Sequence, residues 1–178
     1  MDVHKEYILK AQAGDSEAFI HLMQEMELPL YRMALQMVKQ EADCADAIQE
    51  TMLKAYKSIH SLREPEFFKT WLYRILINEC NKILKKRSEA ITIEECPCPS
   101  ASSMEYDKID LHEAVDRLDE NLRVVIVLHY FQDLPIHEIA DVLDISAGAV
   151  KTRLHRARKT LLSWLSNNPE GEMNCGTL

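Results

Sequence analysis

Apolar residues in this chain recur at every third or fourth position, and no stretch of useful length alternates apolar and polar in the manner of a half-buried strand. That period commits the backbone to helices whose apolar stripes must pack on one another. Leu30, Ala34 and Val38 keep it, as do Ile48, Met52, Ala55 and Tyr56 after an acidic opening at Asp43 and Asp46. Glu6 to Leu22 also reads as helix, broken at Ala13-Gly14-Asp15, where glycine can end one helix and the Asp15 side chain can cap the next. With 47% hydrophobic residues, 28% charged and only four glycines in 178, an all-α protein with a packed core is expected.

Breaks in the period divide the chain. Ser58 to Glu66 loses it, and Pro65 biases Glu64 away from helix, so a loop is predicted before a helix that starts at Phe67. On that helix Phe68, Leu72, Leu76, Cys80 and Ile83 form an apolar stripe, while Arg74, Asn78, Lys82 and Lys85 fall on another face. From Ser88 to Ser103 the sequence turns irregular and holds two prolines, which marks a flexible linker. Leu111, Val115 and Leu118 then open a second helical unit, in which Leu122 to Phe131 is apolar enough to be a buried helix. Two small helical domains are expected, over residues 1–88 and 109–168, with a linker at 89–108 and a tail at 169–178.

The second unit carries the most informative pattern. Ile136, Ile139, Ala140 and Leu143 mark one buried face behind Pro135, Asp144-Ile145-Ser146 supplies a turn, and Val150, Leu154, Ala157 and Leu161 form the inward stripe of a further helix. The remaining positions of that last helix are Lys151, Thr152, Arg153, His155, Arg156, Arg158 and Lys159, with no carboxylate among them. Helix, short turn and basic helix together fit the DNA major groove, where Arg and Lys reach base acceptors and phosphates. The net charge of -8 argues against a nucleic-acid binder only when taken as a whole. A second basic island, Lys69, Arg74, Lys82, Lys85, Lys86 and Arg87, lies in the first unit, and an acidic segment from Glu89 to Glu120 separates the two.

Other chemistries find little support. Met1 to Glu6 lacks a signal-peptide pattern, and the longest aliphatic run, Val124 to Leu128, is too short to span a bilayer, so a cytoplasmic protein without membrane insertion is expected. Five cysteines at irregular spacing argue against a disulfide framework. Cys96-Pro97-Cys98 lacks the second ligand pair of a structural zinc site, so neither a metal nor another cofactor is expected. No nucleophile-base pair or phosphate-cradling glycine loop points to an enzyme.

Taken in order, these segments resemble the extracytoplasmic-function (ECF) sigma factors of bacterial RNA polymerase from Leu9 to about Leu165. Ala13-Gly14-Asp15-Ser16-Glu17-Ala18-Phe19 looks like the family's opening, and Asp43-Cys44-Ala45-Asp46-Ala47-Ile48-Gln49-Glu50 like its polymerase-binding helix. Phe68-Lys69-Thr70-Trp71-Leu72-Tyr73-Arg74-Ile75 with Asn78 is similar to its -10 helix, and Gly148 to Arg158 to its recognition helix. The resemblance implies a first domain (region 2) that binds core RNA polymerase through Asp43, Asp46, Gln49 and Glu50. The same domain would engage the -10 element through His60, Ser61, Leu62 and Arg63 of the loop and Lys69, Tyr73, Arg74, Asn78, Lys82 and Lys85 of the helix. A second domain (region 4) would read the -35 element through Ser146, Ala147, Gly148, Lys151, Thr152, Arg153, His155, Arg156, Arg158 and Lys159. Promoter DNA and an anti-sigma factor, often membrane-tethered, are the further partners it implies. Trp71 reads as core. Departures from the family pattern, Ala149 for a common Thr, Pro135 for a capping Ser, Lys82 for Asp and Asp119 for Pro, bear on promoter preference.

Two rival readings stand beside this one. A free-standing helix-turn-helix regulator would explain the second domain but not the first, and a thiol- or metal-responsive interaction protein would centre on Cys96 and Cys98.

Overall fold

The computed structural model describes residues 3–91 and 111–166, and all the regular structure among them is helical. Four helices make up the first unit: α1 (Val3–Gln12), α2 (Ser16–Val38), α3 (Glu41–Ser58) and α4 (Phe68–Ile91). The α1–α2 break falls where the sequence places it. Gly14 takes φ +98°, and the Asp15 carboxylate accepts from the backbone N–H groups of Glu17 and Ala18 at 2.9 and 3.1 Å. α2 carries Pro29 in its interior, and Met26, Leu30, Met33 and Ala34 hold it in the core on either side. It ends on Lys39 in the left-handed region, φ 61°, whose N–H closes on the Leu35 carbonyl.

The predicted loop between α3 and α4 contains two single 3-10 turns, Ile59–Ser61 and Pro65–Phe67. α4 begins one residue later than expected, at Phe68, because Pro65 fixes the preceding 3-10 turn. Its inward stripe is the predicted one: Phe68, Leu72, Leu76 and Cys80 are buried, with Ile83 packed against them. The helix runs through Ser88 to Ile91, three residues into the predicted linker, and Lys85 and Glu89 face one another across one turn. The rest of that linker, with Cys96 and Cys98, lies outside the described residues.

The second unit comprises α5 (Leu111–Asp116), α6 (Glu120–Ile126), α7 (Ile136–Leu143) and α8 (Ala147–Ser166). α6 passes directly into a π turn over Val127–Phe131, so the expected buried helix changes its winding halfway. Val124 to Leu128 are buried, whereas Tyr130 and Phe131 turn outward. Arg123 is buried beside them and donates to the carbonyls of Asp116 and Leu118 at 3.0 and 3.1 Å, which satisfies the open C-terminal end of α5. Asp144, at φ 53°, ends α7, and its N–H bonds the Ala140 carbonyl. Val150, Leu154 and Ala157 of α8 are buried as predicted and pack on α6 and α7. The buried side chains of both units form one continuous cluster, joined where α7 meets α4.

Candidate nucleic-acid interface

Three surfaces carry the predicted residues. On α3, Asp46, Gln49 and Glu50 are exposed at spacings of three and four, so they share one face. Leu53 continues that face and is 47% exposed, an apolar group beside acidic ones that periodicity from Asp46 would have disclosed. Asp43 stands apart: it is half-buried and its carboxylate pairs with Arg87 of α4 at 3.3 Å, so its charge is engaged inside the domain.

The loop and α4 form the second surface. His60, Ser61 and Arg63 are exposed, while Leu62 is buried and anchors the loop. Gln12 of α1, a residue with no sequence signal of this role, donates its amide to the carbonyls of Ile59 and Leu62 at 3.2 and 2.6 Å and pins the loop from behind. The Ser61 hydroxyl donates to the Ser58 carbonyl at 2.6 Å, leaving its ring of partners within the turn. Lys69, Arg74, Asn78, Lys82 and Lys85 are all exposed on α4.

Two members of this set sit differently from their sequence assignment. Tyr73 is 0% exposed, and its hydroxyl donates to the Gln132 amide oxygen of the second unit; burial pushes its phenol above the ordinary range. An aromatic ring at a core register position goes inward, and only its polar tip reaches a partner. Lys82 is tied by a 2.9 Å ion pair to Glu79, which also holds Lys54 at 2.6 Å. Burial acts to raise the Glu79 carboxyl, but hydrogen bonds and charge from the two lysines outweigh it and hold the group below the usual carboxylate range. Trp71 is half-buried against the core and tilted on Phe68 at 6.0 Å, in line with its core reading.

The third surface is the outer side of α8. Ala147, Gly148, Lys151, Thr152, His155, Arg156, Arg158 and Lys159 are exposed and Arg153 is half-buried. Ser146 caps the helix, its hydroxyl accepting from the Ala149 N–H at 3.1 Å. Thr152 spends its hydroxyl on the Gly148 carbonyl at 2.9 Å. The Arg158 guanidinium lies 5.9 Å from the centre of the exposed Tyr130 ring, which fixes one end of the basic stripe. Among the described residues no carboxylate bridges to this stripe, so its cations face solvent.

The thiol- or metal-responsive reading centres on Cys96 and Cys98, which lie outside the described residues. Among the described residues no three His, Cys, Asp or Glu side chains gather into a metal site, and no helix is long and apolar enough to cross a membrane. Cys44 and Cys80 are buried free thiols, and burial first of all raises both, Cys80 to about 12.

Comparison with known proteins bears on the two units. Residues 22–89 match the family model for Sigma-70 region 2, and residues 108–161 that for Sigma-70, region 4. The chain is 35% identical to RNA polymerase sigma factor SigV of Bacillus subtilis over 134 residues, covering 74% of this chain and 81% of that protein. It is 30% identical to ECF RNA polymerase sigma factor SigW of the same organism, covering 88% of this chain and 94% of that one. The fold is similar to that of CnrH, solved in complex with the cytosolic domain of CnrY, with a TM-score of 0.70 at 25% identity over 94% of this chain and 99% of that one. Two helical units bearing separate basic faces, matched in order to regions 2 and 4, identify the chain as a member of the sigma-70 family, an RNA polymerase sigma factor of the ECF type.

Proposed function

We propose that this sigma factor holds core RNA polymerase through the α3 face of Asp46, Gln49, Glu50 and Leu53 and reads promoters with its two basic surfaces. The loop from His60 to Arg63 and the cations of α4 take the melted -10 strand, and α8 enters the major groove of the -35 element. The observation that carries this reading is the separation of charge: one helix face is acidic with an apolar residue, Leu53, at its C-terminal end, and the basic groups lie on two other surfaces in two units. Each DNA contact is modest alone; tethering raises the effective concentration of the second once the first is made. Capturing an unstacked base costs a few kcal/mol, which loop contacts must offset. On this reading Arg156, Lys151 and His155 contact base edges and Lys159 contacts phosphate.

The factor contributes recognition and strand capture, and the nucleotidyl chemistry belongs to the polymerase. An anti-sigma factor is the proposed regulator, as CnrH is solved with a cytosolic domain of CnrY. Its place of action is the cytoplasm, with core polymerase and DNA.

Run-off transcription by purified core polymerase on a library of promoter fragments tests the reading. Transcripts with defined starts that require the protein, and whose upstream sequences share two spaced elements, are expected. Absence of both transcripts and core binding would overturn it in favour of a free-standing regulator.

A further inference from the structure

The change of winding after α6 delivers a side chain to the basic helix. Over Val127–Phe131 the chain forms a π turn, closed by the Gln132 N–H on the Val127 carbonyl. Asp133 follows in the left-handed region at φ 55°, and the Leu134 N–H bonds the Leu128 carbonyl. Arg123 to Leu128 are all buried, yet Tyr130, two residues on, is 53% exposed. Single π turns in α-helical chains are frequent at functional sites, and here one leaves a large aromatic ring outside the core.

That ring is held in place. The His129 imidazole packs on it edge to face, with centroids 4.8 Å apart and planes at 69°. His129 Nδ1 in turn donates to the Leu134 carbonyl at 3.1 Å, which ties the pair to the residue that closes the turn. The Arg158 guanidinium of α8 lies over the Tyr130 ring. Arg158 is exposed on the face of α8 that also carries Lys151 and His155, and among the described residues it makes no ion pair or hydrogen bond. Attraction to a ring draws on the cation's charge and leaves the five N–H donors of a guanidinium for an anion. A long side chain loose in solvent has rotamer freedom to lose before it can hold a phosphate, and the ring has removed part of that freedom in advance.

We propose that Tyr130 is a positioning residue of the -35 surface, which holds Arg158 where its guanidinium meets a backbone phosphate of the duplex. This rests on the assignment of α8 to the -35 element. Tyr130 reads no base; its contribution passes through Arg158 and is the same on every sequence, because phosphate contacts fix register and carry no sequence information.

The test measures binding of the full chain to a labelled 20-base-pair duplex pool of random sequence by fluorescence anisotropy across a salt series. Tyr130→Leu keeps an apolar side chain and removes the ring; Tyr130→Phe keeps the ring. Tyr130→Leu is expected to weaken binding about two- to fivefold, the span of an exposed cation–π contact, and Tyr130→Phe to bind as the parent does. Arg158→Ala is expected to make the slope of log affinity against log salt shallower by about 0.9, one phosphate contact. In the Arg158→Ala background, Tyr130→Leu is expected to change nothing, which a loss through misfolding would not do. Parent-like binding by Tyr130→Leu, an equal loss with and without Arg158, a Tyr130→Phe variant as weak as Tyr130→Leu, or an unchanged salt slope in Arg158→Ala overturns the proposal. Run-off transcription by the parent chain reports on the sigma reading separately, because it persists when the role of Tyr130 alone is wrong.

Discussion

Glu79→Gln isolates a feature that opposes DNA binding from within the DNA-facing helix. The Glu79 side chain is 9% exposed and accepts from Lys54 at 2.6 Å and from Lys82 at 2.9 Å. The amide keeps the shape and can still accept one bond, so what changes is the charge. Lys54 is more than a third exposed, and the contact with it is worth about 0.5–1 kcal/mol after solvent screening. For a chain of this size that lowers the melting temperature by about 1–4 °C. Because the folded carboxyl sits below its ordinary range, its stabilisation is fully present above the unfolded glutamate pKa, about 4.3. It is lost as pH falls through the lower folded value, so the melting difference between parent and variant should vanish under acid conditions. At the same time two ammonium groups are released beside Asn78 on the -10 surface. Each one that takes up a phosphate steepens the slope of log affinity against log salt by about 0.7 for single-stranded DNA. Thermal melts at pH 7 and in acid, with anisotropy titrations of a labelled single-stranded DNA across a salt series, measure both. A variant that melts with the parent at pH 7 and shows the same salt slope would refute the view that Glu79 holds these lysines.

Arg156→Ala should weaken -35 duplex binding by about 1–3 kcal/mol without moving the melting temperature, as read by gel shift on a promoter found by run-off. Asp46→Ala should reduce association with core polymerase while leaving affinity for single-stranded DNA unchanged, measured by surface capture of core and by anisotropy. Arg123→Met should cost about 1–3 kcal/mol of folding free energy in urea titration, since it strands the Leu118 carbonyl and leaves the Asp116 carbonyl to Lys39 alone. Asp15→Ala should cost about 1 kcal/mol through the loss of the α2 cap.

What could be read from sequence was local. The stripe Phe68, Leu72, Leu76 and Cys80 and its counterpart Val150, Leu154 and Ala157 depend on spacing alone, and a break at Gly14 followed by a capping Asp15 depends on adjacent residues. Partners distant in the chain left no such trace. Nothing around Lys82 announces that Glu79 and Lys54 will gather there, nor does the period around Tyr73 say that its hydroxyl will end on Gln132, 59 residues away. The irregular composition after Ser88 suggested a linker, yet helix propagation costs little once a long helix is formed, and α4 continues to Ile91. The winding change at Val127–Phe131 has no marker in a run of aliphatic residues that suits either geometry.

The anchoring of the -10 loop by Gln12 bears on how such factors can be recombined. α1 carries none of the side chains assigned to DNA or polymerase, and it precedes residue 22, where the match to region 2 begins. A chimera cut at that boundary would import the loop's sequence and leave behind the amide that sets its height above α4. Transplanting the specificity of this loop into another scaffold therefore means carrying α1 with it, or building a new tether for the carbonyls of Ile59 and Leu62.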